Sequence, residues 1–295
     1  MAPGDQAMTQ HSISGPGLRA TIARKGAEII QLGDEQGREV LWPGTAPWPR
    51  HAPNLFPIVG RLKDDRLRHA GREYHLTQHG FARDREFTWL EATPTTCRLE
   101  LRDDAATRAL YPFGFRFEVA YAVAGNALAV TFTAENPGPG VLPASFGAHP
   151  AFRWPLQPGI AKTAHRLEFS DDEPGKVRQA EGGLLLPGRV ASPILGRVLA
   201  LDEGLFVPDA VILEAPRSDW VRYSAPGAPA VTVAWDSGFP NLGIWSRADA
   251  DLLCIEPWHG MASPAGFDGD IMDKPGIMHI PPGEMRRAVH RIAIA

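Results

Sequence analysis

The chain has 295 residues, with 30 lysines and arginines against 34 aspartates and glutamates, a formal charge of −4 and a pI near 6.2. That balance gives no basic field for nucleic acid, and no stretch approaches the ~20 apolar residues of a bilayer span, so neither nucleic acid nor membrane is expected as a partner. A hydrophobic fraction of 44% suits a sizeable core, and two cysteines, Cys97 and Cys254, make no disulfide framework, so a reduced, cytoplasmic setting is expected.

Residues 1–17 are polar and lack the apolar segment of a signal peptide; they are expected to form a frayed leader, with 18–295 as one domain. From there the pattern is period two almost throughout. Strands are expected over 18–23, 28–32, 66–76, 86–90, 97–101, 211–213 and 230–235, with turns at Ala70-Gly71, Pro137-Gly138, Pro158-Gly159 and Pro226-Gly227. The clearest case is 115–123, where large residues alternate. After Gly125-Asn126 the alternation resumes at Leu128, Val130 and Phe132, which predicts a hairpin with one apolar face. One short helix is expected over 103–110, capped by Asp103 or Asp104. Regular strands with abundant glycine (30) and proline (28) point to an all-β protein, a large antiparallel β-sandwich with few short helices. The irregular region, about 152–197, is expected to form one side of a cleft.

Three titratable side chains stand out, each set among small, apolar or aromatic residues: His79 in Gln78-His79-Gly80-Phe81-Ala82-Arg83-Asp84, His149 in Ala148-His149-Pro150-Ala151-Phe152, and Glu256 before Pro257-Trp258. Each histidine precedes Gly or Pro near a strand end, as a side chain held at the mouth of a sandwich would. A hydrogen-bonded structural histidine is the alternative for both. Glu256 ends the apolar run Leu252-Leu253-Cys254-Ile255, where an unpaired carboxylate costs several kcal/mol. It is either half of a structural ion pair or a base whose pKa its burial sets. Proline has no N–H, so the sheet ladder is expected to break beside Glu256.

Arg61, Arg83 and Asp209 sit at expected strand edges or beside the first histidine. They are either solvated surface charges or the bidentate groups that meet vicinal hydroxyls. Trp42, Trp48, Trp154, Trp245 and Trp258 are candidate stacking platforms. His75 and His79 have the four-residue spacing of a zinc pair, but in a strand such positions stand roughly 13 Å apart, and no metal site is expected. No nucleophile elbow, phosphate loop or dinucleotide fingerprint is present.

Several ordered segments add to this reading: Pro53-Asn54-Leu55-Phe56-Pro57-Ile58-Val59-Gly60-Arg61-Leu62, the motif at 78–84, Gly147 to Phe152 and Cys254 to Trp258. Leu205-Phe206, Asp209-Ala210, Asn241 to Trp245 and Gly266 to Asp270 extend the series. Together, from about residue 18 onward, they resemble the aldose 1-epimerase (galactose mutarotase) family, and are most similar to its bacterial subgroup with the HGFARD signature. The resemblance implies a supersandwich with a sugar cleft and cofactor-free interconversion of α and β anomers. It implies Glu256 as the base at the anomeric hydroxyl, His149 as the acid at the ring oxygen, and His79 as a hydrogen-bond donor near that oxygen. Arg61 and Asp209 are its implied contacts with substrate hydroxyls, and Arg83 and Trp258 are expected to bind substrate beside them. A histidine of pKa ~6.5 and a carboxylate of ~4.3 would begin in opposite protonation states near neutral pH, as such chemistry needs. The motif also looks similar to hexose-6-phosphate epimerases, where arginines meet the phosphate. A non-catalytic sugar-binding protein on the same fold is the reading from a different class. A monosaccharide partner is expected, with the chain a monomer or weak homodimer.

Overall fold

The computed structural model describes residues 8–295. Strands account for 45% of it and helix for 7%, in keeping with an all-β protein. A nine-stranded antiparallel sheet runs Val198–Ala200, Arg166–Phe169, Trp220–Ser224, Val231–Trp235, Met285–Ile294, Ala127–Glu135, Arg116–Ala124, Thr96–Arg102 and Thr88–Ala92. A second sheet runs Val211–Glu214, Asn241–Trp245, Leu252–His259, Phe146–Ala148 and Asn54–Leu55, with Ala151–Arg153 also paired to Leu252–His259.

One apolar cluster draws on the inner faces of both sheets, among them Phe117, Val119, Phe132 and Val233 from the larger and Leu242, Ile244, Leu253 and Ile255 from the smaller. The chain is therefore a sandwich, and alternation along each strand decides which side chains enter that core. The hairpin at 116–135 turns at Gly125-Asn126 as expected, with Val123 opposite Leu128. The only α-helix among the described residues is Ala105–Arg108. Asp104 caps it, accepting from the Thr107 N–H while the Thr107 hydroxyl accepts from the Asp104 N–H.

Two expectations need correction. Gln10–Gly15, placed in the frayed leader, is a strand in register with Leu18–Ala23, and Ile13 is fully buried in the main core. A single inward isoleucine gives too little period-two signal to reveal a strand in an otherwise polar stretch. The rest of the leader reading, residues 1–7, lies outside the described residues. Leu252–His259 does not break beside Glu256: Leu242 stands opposite Pro257 and Asn241 opposite Trp258, while Phe146 and Gly147 pair with His259 and Trp258 from the other side. A neighbour on each flank holds the strand in place, and the proline removes a single donor.

Candidate active site

The smaller sheet turns one face to the core and the other to a cleft of about 620 Å³. Parity explains the division. On Leu252–His259, Leu253 and Ile255 enter the core, while Cys254, Glu256 and Trp258 take the opposite face. On Asn241–Trp245, Leu242 and Ile244 go inward, which leaves Gly243 and Trp245 on the cleft side. Because both faces are covered, this part of the sequence is a continuous apolar run rather than an alternating one.

Two glycines make room for Trp258. A Cβ on Gly243 would lie 2.2 Å from the Trp258 ring, and one on Gly147 would lie 2.5 Å from it. The indole therefore lies over both neighbouring strands, with its N–H buried beside the Glu256 carboxyl, whose pKa it acts to lower against the effect of burial. Gly243 stands directly opposite Glu256, so no side chain crowds the carboxylate from that strand. Gly243→Ala is expected to lift the indole and cost about 1–3 kcal/mol of unfolding free energy, as overpacking does. Urea unfolding followed by tryptophan fluorescence checks this, and wild-type stability and emission would speak against the packing described.

The motif at 78–84 is legible in physical terms. His79 (φ 66°) and Gly80 (φ 69°) are both left-handed, and a Cβ on Gly80 would meet the Phe56 carbonyl at 2.4 Å, so only glycine fits there. Phe81 packs into an aromatic group with Tyr111 and Phe115, and Ala82 is fully buried. Arg83 folds back to donate to the Gln78 carbonyl at 2.7 Å. The His79 N–H donates to the Gly60 carbonyl at 2.8 Å, and the Gly60 N–H donates to His79 Nδ1 at 3.1 Å. With Nδ1 accepting, the proton of the neutral ring sits on Nε2, the donor left for a ligand.

His79, His149 and Glu256 come together in the cleft. His149 Nε2 and Glu256 Oε2 are 3.2 Å apart, but Oε2 finds no aligned hydrogen-bond partner, nor does His149 Nδ1. Trp48 stacks on His149 with centroids 5.3 Å apart, Trp245 meets it edge-on at 5.8 Å and His79 at 5.5 Å. Burial drives both groups toward their neutral forms. It lowers His149 to about 3, helped by the positive charges of Arg83 and Arg50. Burial also raises Glu256 well above the ordinary carboxylate range, with the Asp209 charge adding to the effect. His79 is lowered well below its usual value by burial and by His149, Arg83 and Arg50. The expectation of ordinary pKa values at this pair is therefore corrected: a 99%-buried carboxyl and a 93%-buried ring have lost the water that would hold their charges.

Of the other expected contacts, Arg83, Asp209 and Trp258 line the cleft, and Arg61 sits at its edge beside Gly182 and Gly183. Arg61 is held by Asp65 through two hydrogen bonds, Nε to Oδ1 at 2.7 Å and Nη2 to Oδ2 at 2.8 Å. Arg83 is no solvated surface charge; its side chain is 16% exposed. Trp48, Trp245 and Trp258 line the cleft, whereas Trp42 and Trp154 are buried in the interior. His75 is exposed on the Arg72–His75 strand, away from buried His79. Ala180 and Gly183 bring the irregular region 152–197 to the cleft wall, as expected. Ser246, Arg247 and Asp249 also line the cleft, from the turn after Trp245, and nothing in the sequence around them points to it.

The comparisons with known proteins bear on this geometry. The model of the aldose 1-epimerase family matches residues 9–276. The chain belongs to the aldose 1-epimerase family. It is 30% identical over 281 residues to the plasmid form of protein LacX of Lactococcus lactis subsp. lactis, covering 91% of this chain and 94% of that one. A galactose mutarotase related enzyme from Lactobacillus acidophilus is 30% identical with a TM-score of 0.89, over 97% of both chains. A galactose mutarotase-like protein from Lactobacillus casei is 27% identical with a TM-score of 0.88, over 97% of this chain and all of that one. In this member of the aldose 1-epimerase family the matched stretch includes all three of His79, His149 and Glu256.

Proposed function

We propose that the protein is a mutarotase, interconverting the α and β anomers of an aldohexose by acid–base ring opening and reclosure. One observation carries this reading: an imidazole and a carboxyl 3.2 Å apart, both more than nine-tenths buried, meet in an open cleft with polar atoms that the protein leaves unsatisfied. A structural ion pair at that depth would have its remaining lone pairs satisfied by other donors. Trp48, Trp245 and Trp258 along the cleft suit the apolar face of a sugar ring.

The proton count fits the chemistry. Neutral His149 with protonated Glu256 holds one proton, and so does imidazolium with carboxylate. The two forms differ by one transfer across 3.2 Å. From the charged form, Glu256 takes the proton of the anomeric hydroxyl while His149 gives one to the ring oxygen. The C–O ring bond breaks, the aldehyde forms, and the pair is left neutral, the form that burial favours. Rotation about the C1–C2 bond and closure on the other face reverse both transfers. The His79 Nε2–H supplies a fixed donor for the oxygen that gains charge.

A second reading, a phosphorylated hexose, is favoured by Arg83, which lines the cleft with its Nε–H buried and without a hydrogen bond, 3.7 Å from Asp84 Oδ2. Anomeric exchange rates measured by NMR on glucose, galactose and glucose 6-phosphate separate the readings. Faster exchange of the free sugars supports the first. A preference for the phosphate ester that Arg83→Ala removes supports the second. No acceleration of any of the three defeats both.

A further inference from the structure

Cys254 lies behind the acid–base pair and has no part in the chemistry above. A ring nitrogen of His149, the Cys254 Sγ and a carboxylate oxygen of Glu256 all lie within 4.8 Å of one another, the one such group of three among the described residues. We infer that these three residues form a binding site for a soft or borderline divalent cation, Zn²⁺ or Cd²⁺, and that its occupancy silences the cleft. The silencing rests on the mutarotase reading; the binding does not.

The geometry is close to what such an ion requires. With bonds of about 2.0–2.3 Å, a tetrahedral site spaces its ligand atoms roughly 3.3–3.6 Å apart. His149 Nε2 and Glu256 Oε2 already stand 3.2 Å apart, and the thiol needs to close by about 1.5 Å at most. Cys254 and Glu256 share one face of one strand, two residues apart, so register sets their spacing rather than a loop. The Trp48 stack holds the His149 ring in place. Glu256 Oε2, in a side chain 1% exposed, has no hydrogen-bond partner to give up. Both residues line the cleft, which gives an entry path and leaves the fourth position to water.

A thiolate, imidazole and carboxylate set selects zinc-like ions over Mg²⁺ or Ca²⁺, which prefer all-oxygen ligands. On loading, the Cys254 thiol and the Glu256 carboxyl each exchange a bond to hydrogen for a bond to the metal, His149 binds through a neutral ring nitrogen, and both protons leave to solvent through the cleft. No electron changes hands. A carboxylate and an imidazole nitrogen bound to metal can neither accept nor donate a proton, so turnover stops without any change in fold.

Cd²⁺ titrated into the full-length protein tests this, with the ultraviolet thiolate-to-cadmium absorption reporting occupancy independently of turnover. The expected result is one Cd²⁺ per chain, a band that Cys97→Ala keeps and Cys254→Ala abolishes, binding weakened tenfold or more in Glu256→Gln, and no competition from Mg²⁺. Glu256→Gln keeps the thiol in place and decides the matter should Cys254→Ala fail to fold. No band, or a band that survives both Cys254→Ala and Glu256→Gln at wild-type affinity, would overturn the site. If the band appears in a protein that accelerates no sugar, the cation site stands and the mutarotase reading falls.

Discussion

Glu256→Gln is expected to lower kcat by about a hundredfold or more while KM changes by only a few fold. The amide has the shape of the carboxyl, so the contacts of the cleft with sugar hydroxyls survive, and with them the binding that precedes the chemistry. What it cannot do is take a proton from the anomeric hydroxyl. Nor can it pass a proton to His149, 3.2 Å away. His149→Asn should cost a similar factor, and the double variant little more than either, because the two residues act on one proton as a unit. Exchange rates from saturation-transfer NMR over a range of sugar concentrations separate kcat from KM. A Glu256→Gln protein with near wild-type kcat would remove Glu256 from the chemistry. A large rise in KM at unchanged kcat would make it a binding residue instead.

The second large effect is on stability in mild acid. His79, His149 and His290 are all buried and all lowered, His149 and His290 to about 3. His290 has no role in the cleft: it sits among Phe132 and Phe239 with Nδ1 unpartnered. On unfolding each ring regains its ordinary pKa near 6.5. Below that pH the unfolded chain therefore binds protons on His149 and His290 that the native chain does not, with His79 acting in the same sense, and stability is lost as the pH falls toward 3. Glu256 acts in the opposite sense. Its raised pKa keeps a proton on the native chain down to the ordinary carboxyl range, where the unfolded chain takes one as well. Between about pH 6.5 and 4.5 His149 and His290 alone give the unfolded chain about two more protons, worth roughly 3 kcal/mol of unfolding free energy per pH unit, with His79 adding to that loss and Glu256 opposing it. Two units of acidification would then remove about 5 kcal/mol, comparable to the whole stability of a modest domain. Urea unfolding at pH 7, 6 and 5 measures the slope, and His290→Phe should flatten it by about 1.4 kcal/mol per unit. A flat profile would mean that these rings are charged in the native protein.

Much of this site was legible in the sequence because its parts break local rules. A carboxylate after four apolar residues, a histidine before a glycine that no other residue can replace, and a histidine between small residues and proline are each poor choices for stability alone. Their convergence is a matter of topology: the strand carrying Glu256 lies beside the short strand that ends at Ala148, and a left-handed turn at His79 reaches the same face. Period two gave the long strands of the larger sheet. It could not give the four two-residue strands within 152–197, which are too short to show a period, nor the inward Ile13 strand. Arg61 shows the limit of motif matching. The residue is where the motif places it, but Asp65, four positions on, occupies its guanidinium. The pKa shifts were hidden for a similar reason, since the depth at which His149 and Glu256 meet depends on both sheets at once.

The most direct measurement is the optical rotation of freshly dissolved α-D-glucose and α-D-galactose, with wild-type protein and with Glu256→Gln. Approach to the anomeric equilibrium should speed up in proportion to wild-type concentration for at least one sugar and return to the buffer rate with the variant. A wild-type protein that binds these sugars and leaves both rates at the buffer value would contradict the acid–base role of His149 and Glu256 and make the cleft a site for sugar binding alone.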